Sequence, residues 1–438
     1  MRLAIFSLWV VAGVVTPALG QTPTTPTTQA PTPVEKAEIQ AAVERLGSDD
    51  FRSRERAGEL LAKVGDRALP LLKAALQTSD DPEVTRRLQV LTKQFETDRL
   101  IKPRRVTVSA KNRPVKEVLA ELATQTGYKV RVENVTERLP VTFECQEMPV
   151  LEAVDQVCDR VGLISSHDDN DGAFVISIGD SSNPYTVYTG PFRVVATNVN
   201  MNRSLQLSGL PRRSPLPPQP EFLNIGFMVQ SEPKTPLLNV GQPIVTKAID
   251  DKGNSLIVAE PANELTVGSA GANRCYSMGF NCAVNHPVRQ ATAIKELRVK
   301  VAVEVLAENR TDVLVENIQA ANGKKFVGRS LTIEVGKMTT QNNEIKLALT
   351  VKRNNGNPDD FSWLNGLHQR LELLDTNGVK YQSLGLEIQS NGPNVTTFQI
   401  QFLKPPNRKI GKPSQLHCIE WVPLSREIEF TFKNIPLP

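Results

Sequence analysis

Apolar and polar positions follow three rhythms along this chain, and the changes of rhythm divide it. Between residues 35 and 98 the apolar positions Leu60, Leu61, Val64, Leu69, Leu72, Leu76, Val84, Leu88 and Leu91 recur at helical spacing. Gly65 closes one such segment, and Asp81-Pro82 opens another with a capping side chain and a proline in the first turn. Between 100 and 180 a period of two takes over twice, each time followed by a helical stretch. From about 185 onward short alternating runs dominate, separated by turns at Asp250-Asp251-Lys252-Gly253, Ala321-Asn322-Gly323 and Asp375-Thr376-Asn377-Gly378. Strand, glycine-bearing turn, strand is hairpin grammar, and its repetition predicts β-sandwich-like domains over 185–290 and 291–438. The chain therefore reads as multidomain α+β: an N-terminal helical repeat, a small βαββαβ domain, then a β-sandwich-like C-terminal region.

Two stretches repeat internally. Residues 106–128 (VTVSAKNRPVKEVLAELATQTGY) align without gaps onto 141–163 (VTFECQEMPVLEAVDQVCDRVGL) at an offset of 35. Val106/Val141, Thr107/Thr142, Pro114/Pro149, Val115/Val150, Glu117/Glu152 and Gly127/Gly162 are identical. Each copy predicts a strand, a proline opening a helix and a glycine closing it, giving a layer with both helices on one face of a small sheet. Its apolar strand, N-R-P-V-K-E-V-L and T-G-Y-K-V make residues 100–180 resemble the short N-terminal domain of secretins and TonB-dependent receptors. The resemblance implies a module that docks onto a partner in the cell envelope. No channel or barrel region is recognisable after it, so secretin or receptor activity is not implied. In 35–98, Arg56-Ala57 with Leu60 corresponds to Arg87-Leu88 with Leu91 at an offset of 31. The runs DFRSRERAGELL, VGDRALPLL and DPEVTRRL resemble HEAT-like helical repeats, which stack to bury a shared core and serve as binding scaffolds. A plain helical bundle is the alternative.

The N-terminus changes the setting. Met1-Arg2 precedes an uncharged apolar run at residues 3–15, Pro17 breaks it, and Ala18-Leu19-Gly20 supplies small residues before Gln21. Residues 1–20 thus read as a cleaved signal peptide, too short in its apolar part to span a bilayer. Residues 21–34 (QTPTTPTTQAPTPV) read as an extended Pro/Thr-rich linker. The expectation is an exported protein of the periplasm or cell surface, without membrane insertion after cleavage. Of 438 residues 40% are hydrophobic and 22% charged, which excludes a wholly disordered chain. The net charge of +4 is too mild to argue for nucleic acid as a partner.

Chemistry-bearing residues are few: five cysteines and four histidines. Cys275 and Cys282 flank a short glycine-containing segment and are a candidate loop disulfide. Cys145 and Cys158 replace Ala110 and Ala123 of the first repeat copy, so they are either buried thiols or a strand-to-helix disulfide. His286 near Cys275 and Cys282 gives only three zinc ligands, one short of a structural site. His167-Asp168-Asp169-Asn170-Asp171-Gly172 fails as a calcium loop because His167 and Ile178 fall where acids are needed; it reads as a hairpin turn. His417 and Cys418 are strand neighbours, which point to opposite faces. Asp359-Asp360 with Glu372 or Glu387 could form a glycosidase pair only if the fold brought them face to face. No nucleophile elbow, zincin motif, Walker loop or dinucleotide fingerprint appears. The expected sites are accordingly none catalytic, none for a cofactor and none for a metal.

The reading is a non-enzymatic cell-envelope scaffold that engages an envelope protein partner. An accessory subunit of a secretion or uptake machine is one alternative. An enzyme acting on envelope carbohydrate or peptide is the other.

Overall fold

The computed structural model describes residues 33–136, 138–179, 183–202, 221–258, 273–288, 290–341, 343–355, 362–404 and 410–438. The expected signal peptide, and the expected linker up to residue 32, lie outside them. The protein is mixed α+β, with more strand than helix.

Four helices come first: α1 (Pro33–Arg45), α2 (Phe51–Val64), α3 (Leu69–Thr78) and α4 (Pro82–Ile101). Helix α1 starts inside the expected linker, and α4 continues past residue 98. Ile39, Leu46, Leu61, Leu72, Leu88 and Phe95 face one core. Asp50 accepts from the amides of Arg52 and Ser53 at the start of α2, and Asp81 from those of Glu83 and Val84 at the start of α4. Each carboxylate satisfies amides that a helix start leaves unpaired. The two caps lie 31 residues apart, the offset of the sequence repeat.

The next module contains β1 (Arg105–Pro114), α5 (Val115–Thr126), β2 (Val130–Val132), β3 (Pro140–Pro149), α6 (Val150–Asp159), β4 (Leu163–His167) and β5 (Phe174–Ile178). Its layering differs from the expected single sheet. β1 pairs with β3 in one antiparallel sheet, while β5 lies between β2 and β4 in a second. Helices α5 and α6 pack between the two sheets, touching both. The reason is the width of the apolar helical stripes. On α6, Val150, Leu151, Ala153, Val154, Val157 and Cys158 are all buried, more than one small sheet can cover.

The 35-residue repeat appears here as a local two-fold. Asn112 and Glu147, equivalent positions, both adopt left-handed backbone, with φ of 52° and 48°. The Asn112 amide donates to Thr142 Oγ1 (3.1 Å) and the Glu147 amide to Thr107 Oγ1 (3.0 Å). The Val115 amide bonds the Leu139 carbonyl and the Val150 amide the Arg104 carbonyl, both at 2.8 Å. Each copy thus completes the other.

The β region holds β6 (Thr186–Thr189), β7 (Phe192–Asn202), β8 (Phe222–Ser231), β9 (Leu237–Val240), β10 (Ile244–Asp250), β11 (Ser277–Asn285), β12 (Ala293–Val315), β13 (Lys325–Val327), β14 (Leu331–Gln341), β15 (Glu344–Arg353), a short helix α7 (Leu367–Arg370), β16 (Leu371–Asp375), β17 (Gln382–Asn391), β18 (Val395–Leu403) and β19 (Pro413–Pro436). The sheet β11-β8-β7-β6 and the first half of β12 with the last third of β19 enclose one core, centred on Phe227, Phe280, Phe430 and Phe432. The sheet β13-β14-β15-β18-β17 encloses a second with the end of β12, the start of β19 and β16. The expected boundary near 290 is therefore displaced. Ile294, Leu297, Val299 and Val303 belong to the first core, and the chain returns to it at Ile428–Ile435 after completing the second. The antiparallel ribbon β12–β19 runs through both units, because two strands of 23 and 24 residues are too long for one core.

The two units are copies of one plan. Ala196 pairs with Phe227 just before a register shift in β7–β8, and Val335 pairs with Leu349 just before one in β14–β15. Phe227 then faces Phe280 as Leu349 faces Phe398. Asp250 ends β10 and Asp375 ends β16; each carboxylate gathers amides of its own turn, Lys252 and Asn254 in one case, Asn377 and Val379 in the other. Ala248 faces Leu297 as Leu373 faces Leu416.

Candidate functional site: the junction between modules

Three polar ties fasten the modules together. At the first, Asp155 on α6 accepts from Tyr188 Oη of β6 at 2.6 Å, from Ser165 Oγ at 2.9 Å, and from the Arg193 guanidinium of β7. Arg193 also donates to Gln230 Oε1 at 2.6 Å and to the Ser165 carbonyl at 3.3 Å. It is 7% exposed, a charge that such burial tolerates only with a partner. Burial first, and the Asp155 charge second, push the Tyr188 hydroxyl far above its ordinary range, so it stays a donor.

The second tie joins the helical module, the βαββαβ module and the first β unit. Glu232, fully buried in the loop after β8, accepts from the Arg104 amide at 2.9 Å and from Tyr128 Oη at 2.6 Å. Lys234 lies 4.0 Å from that carboxylate and donates to the carbonyls of Arg99 and Lys102 at the end of α4. A cation belongs there, where the last helical carbonyls lack partners. Burial pushes the Glu232 carboxyl up and the Lys234 ammonium down to about 8.

At the third, the His167 ring stacks on Tyr276 at 5.7 Å and lies 4.7 Å from Phe174. Neither ring nitrogen has a hydrogen-bond partner, and burial lowers its pKa to about 3. The Tyr276 amide donates to Asp169 Oδ1, and Arg274 reaches the Asn170 carbonyl. Gly172 makes the fit: its φ is 68°, and a Cβ there would meet the Tyr276 ring at 2.6 Å. The Arg274 amide continues to Gln369 Oε1 at 2.8 Å, extending the chain of contacts to α7 of the second β unit.

The residues singled out from sequence are dispersed. Cys275 and Cys282 do not pair, which corrects the expected loop disulfide. Cys275 bridges to Leu237, while Cys282 lies inside β11; the five steps along the strand from Ser277 to Cys282 alone span about 17 Å. Cys145 and Cys158 are both buried free thiols, on β3 and α6. Residues 168–172 form the turn between β4 and β5, with Asp168 and Asp171 paired to Arg131 and Lys129. Cys418 is fully buried, its thiol pushed up to about 12 by burial, and His417 reaches only Gln415 on its own strand. Asp359 and Asp360 lie outside the described residues; Glu372 pairs with Lys380, and Glu387 is exposed on β17. Among the described residues no three His, Cys, Asp or Glu side chains group around a metal position.

Sequence reasoning missed Asp155, Arg193, Glu232, Tyr128 and Tyr276. Their signal is weak: Arg193 stands between Phe192 and Val194, so alternation alone aims it outward. It does point outward, onto a second module.

No protein-family model matches the chain, and no curated protein does. Among solved structures, the crystal structure of the conserved domain protein from Bacillus anthracis is similar at 12% identity, covering 57% of this chain and 89% of that one, with a TM-score of 0.14.

Proposed function

We propose that this chain is an exported, non-enzymatic scaffold of the cell envelope. In this reading a HEAT-like helical module and a secretin/TonB-type βαββαβ module are held by a pair of β-sandwich-like units and presented to an envelope protein partner. The observation that carries it is how the buried ionisable groups are used. Asp155, Arg193 and Glu232 fasten one module to the next, and Asp250 and Asp375 build turns. Buried charge is costly, and here it is spent on fixing orientation.

The test is expression of the full chain in a bacterium, with fractionation, intact mass and cross-linking. The reading expects a chain starting at Gln21 in the periplasmic or surface fraction. It also expects cross-linking to one reproducible envelope protein and no turnover of glycan or peptide panels. An unprocessed cytoplasmic chain, or turnover of either substrate class, overturns it.

A further inference from the structure

The ribbon β12–β19 joins the two β units, and it changes character between them. Val305 is the last β12 residue in the first core and Val313 the first in the second. Ala307 to Thr311, in between, are all exposed, so neither face of β12 is packed there. Register shifts bracket this stretch and leave Ala307 and Asp312 as the extra residues; such bulges bend a strand where they occur.

The two bulges are held differently. Asp312 is pinned to the second unit, its carboxylate accepting from the amides of Arg329, Ser330 and Leu331. Ala307 has only a methyl group, which can make no such tie. On one side of it, the Leu306 amide donates to the Pro236 carbonyl of the first unit at 2.8 Å. On the other, Trp421, paired with Asn309, packs so closely on Gly366 that a Cβ there would have no room. Arg370 of α7 also donates from Nε to the Ile419 carbonyl at 2.9 Å. The ribbon from Glu308 onward is thus fastened to the second unit, and Ala307, facing Val422-Pro423, is the pivot.

Away from the pivot, one reciprocal contact closes the angle between the units. The Arg274 amide donates to Gln369 Oε1 at 2.8 Å, and Gln369 Nε2 donates to the Arg274 carbonyl at 3.2 Å. Gln369 sits on α7 and belongs to the second unit. Arg274 belongs to the first, since its neighbour Cys275 is bonded through both backbone groups to Leu237 of β9. Both bonds of Gln369 join neutral groups, which contribute less than bonds to charged ones once water can replace them.

We propose that the second β unit is a hinged arm: it turns about Ala307, and the Gln369 side chain is the latch that holds it against Arg274. Release leaves the folded units intact, because neither core crosses the pivot.

The test places spin labels at Ile244→Cys on β10 and Val327→Cys on β13, both exposed positions, with Cys275→Ser. Gln369→Met keeps the length of the side chain and removes both bonds. The proposal expects one narrow distance distribution with Gln369 present and a broad one in Gln369→Met. Hydrogen exchange, read with Cys275 retained, should be about tenfold faster at the Arg274 amide in Gln369→Met and unchanged at the Cys275 amide. An unchanged distribution in Gln369→Met, a broad one with Gln369 present, or loss of protection at Cys275 together with Arg274 overturns the proposal.

Discussion

Arg193 of β7 donates to the carboxylate of Asp155 across the boundary between two modules, and both side chains are largely removed from water, with 9% and 13% exposure. Truncating one partner leaves the other as an uncompensated buried charge. Asp155→Ala is expected to cost about 3–5 kcal/mol, read as a lowered denaturation midpoint. Pairing Asp155→Leu with Arg193→Met recovers part of that loss. A single-variant cost within measurement error would mean that the tie does not hold the modules.

The His167 ring couples the same boundary to acidity. Its folded pKa, about 3, lies below its ordinary value of 6.5, so the unfolded chain binds a proton that the native one refuses. Its contribution is complete above pH 6.5 and is lost as pH falls toward 3, with a slope of up to about 1.4 kcal/mol per pH unit. His167→Phe keeps an aromatic ring against Phe174 and Tyr276 and should flatten stability against pH in that window. An unchanged slope would assign the acid sensitivity to other groups.

Thiol chemistry separates the cysteines. Burial pushes the Cys158, Cys282 and Cys418 thiols up to about 12, and only Cys275 is part exposed. Alkylation of the native chain should modify Cys275 first, with the rest reacting only in denaturant. Intact mass should not change on reduction. A two-dalton gain would show a disulfide between cysteines that the structure holds as free thiols.

Thr107 and Thr142 exchange roles across the β1–β3 two-fold, each accepting the amide of the other strand's left-handed residue. Thr107→Val and Thr142→Val should each cost about 1 kcal/mol, and by similar amounts, in equilibrium unfolding. Loss at one position only would show that the sequence repeat is not an energetic one.

What was legible follows from spacing. The 35-residue repeat keeps its spacing from Val106 to Leu163, so it shows in the sequence and again in the hydrogen bonds of Thr107 and Thr142. The β duplication does not keep its spacing. Its offset is 139 from Ala196 to Val335, 122 from Phe227 to Leu349, and 125 from Asp250 to Asp375. Loops of unequal length erase such a repeat while strand register preserves it. The boundary was misplaced for a related reason: β12 serves both cores, and no break in alternation marks where one ends. The junction was hidden because Arg193 and Glu232 obey the local rule for outward residues, and only the placement of a second module buries them.

The three ties are expected to hold the modules as one body. Val90 on α4 and Val327 on β13 are exposed, at 61% and 77%, and stand at the helical module and the second β unit. Spin labels on Val90→Cys and Val327→Cys, with Cys275→Ser, report their separation by pulsed dipolar spectroscopy. One narrow distance distribution is expected, broadened by Lys234→Ala, which removes the contact to the end of α4. A broad distribution in the otherwise unaltered chain would contradict it.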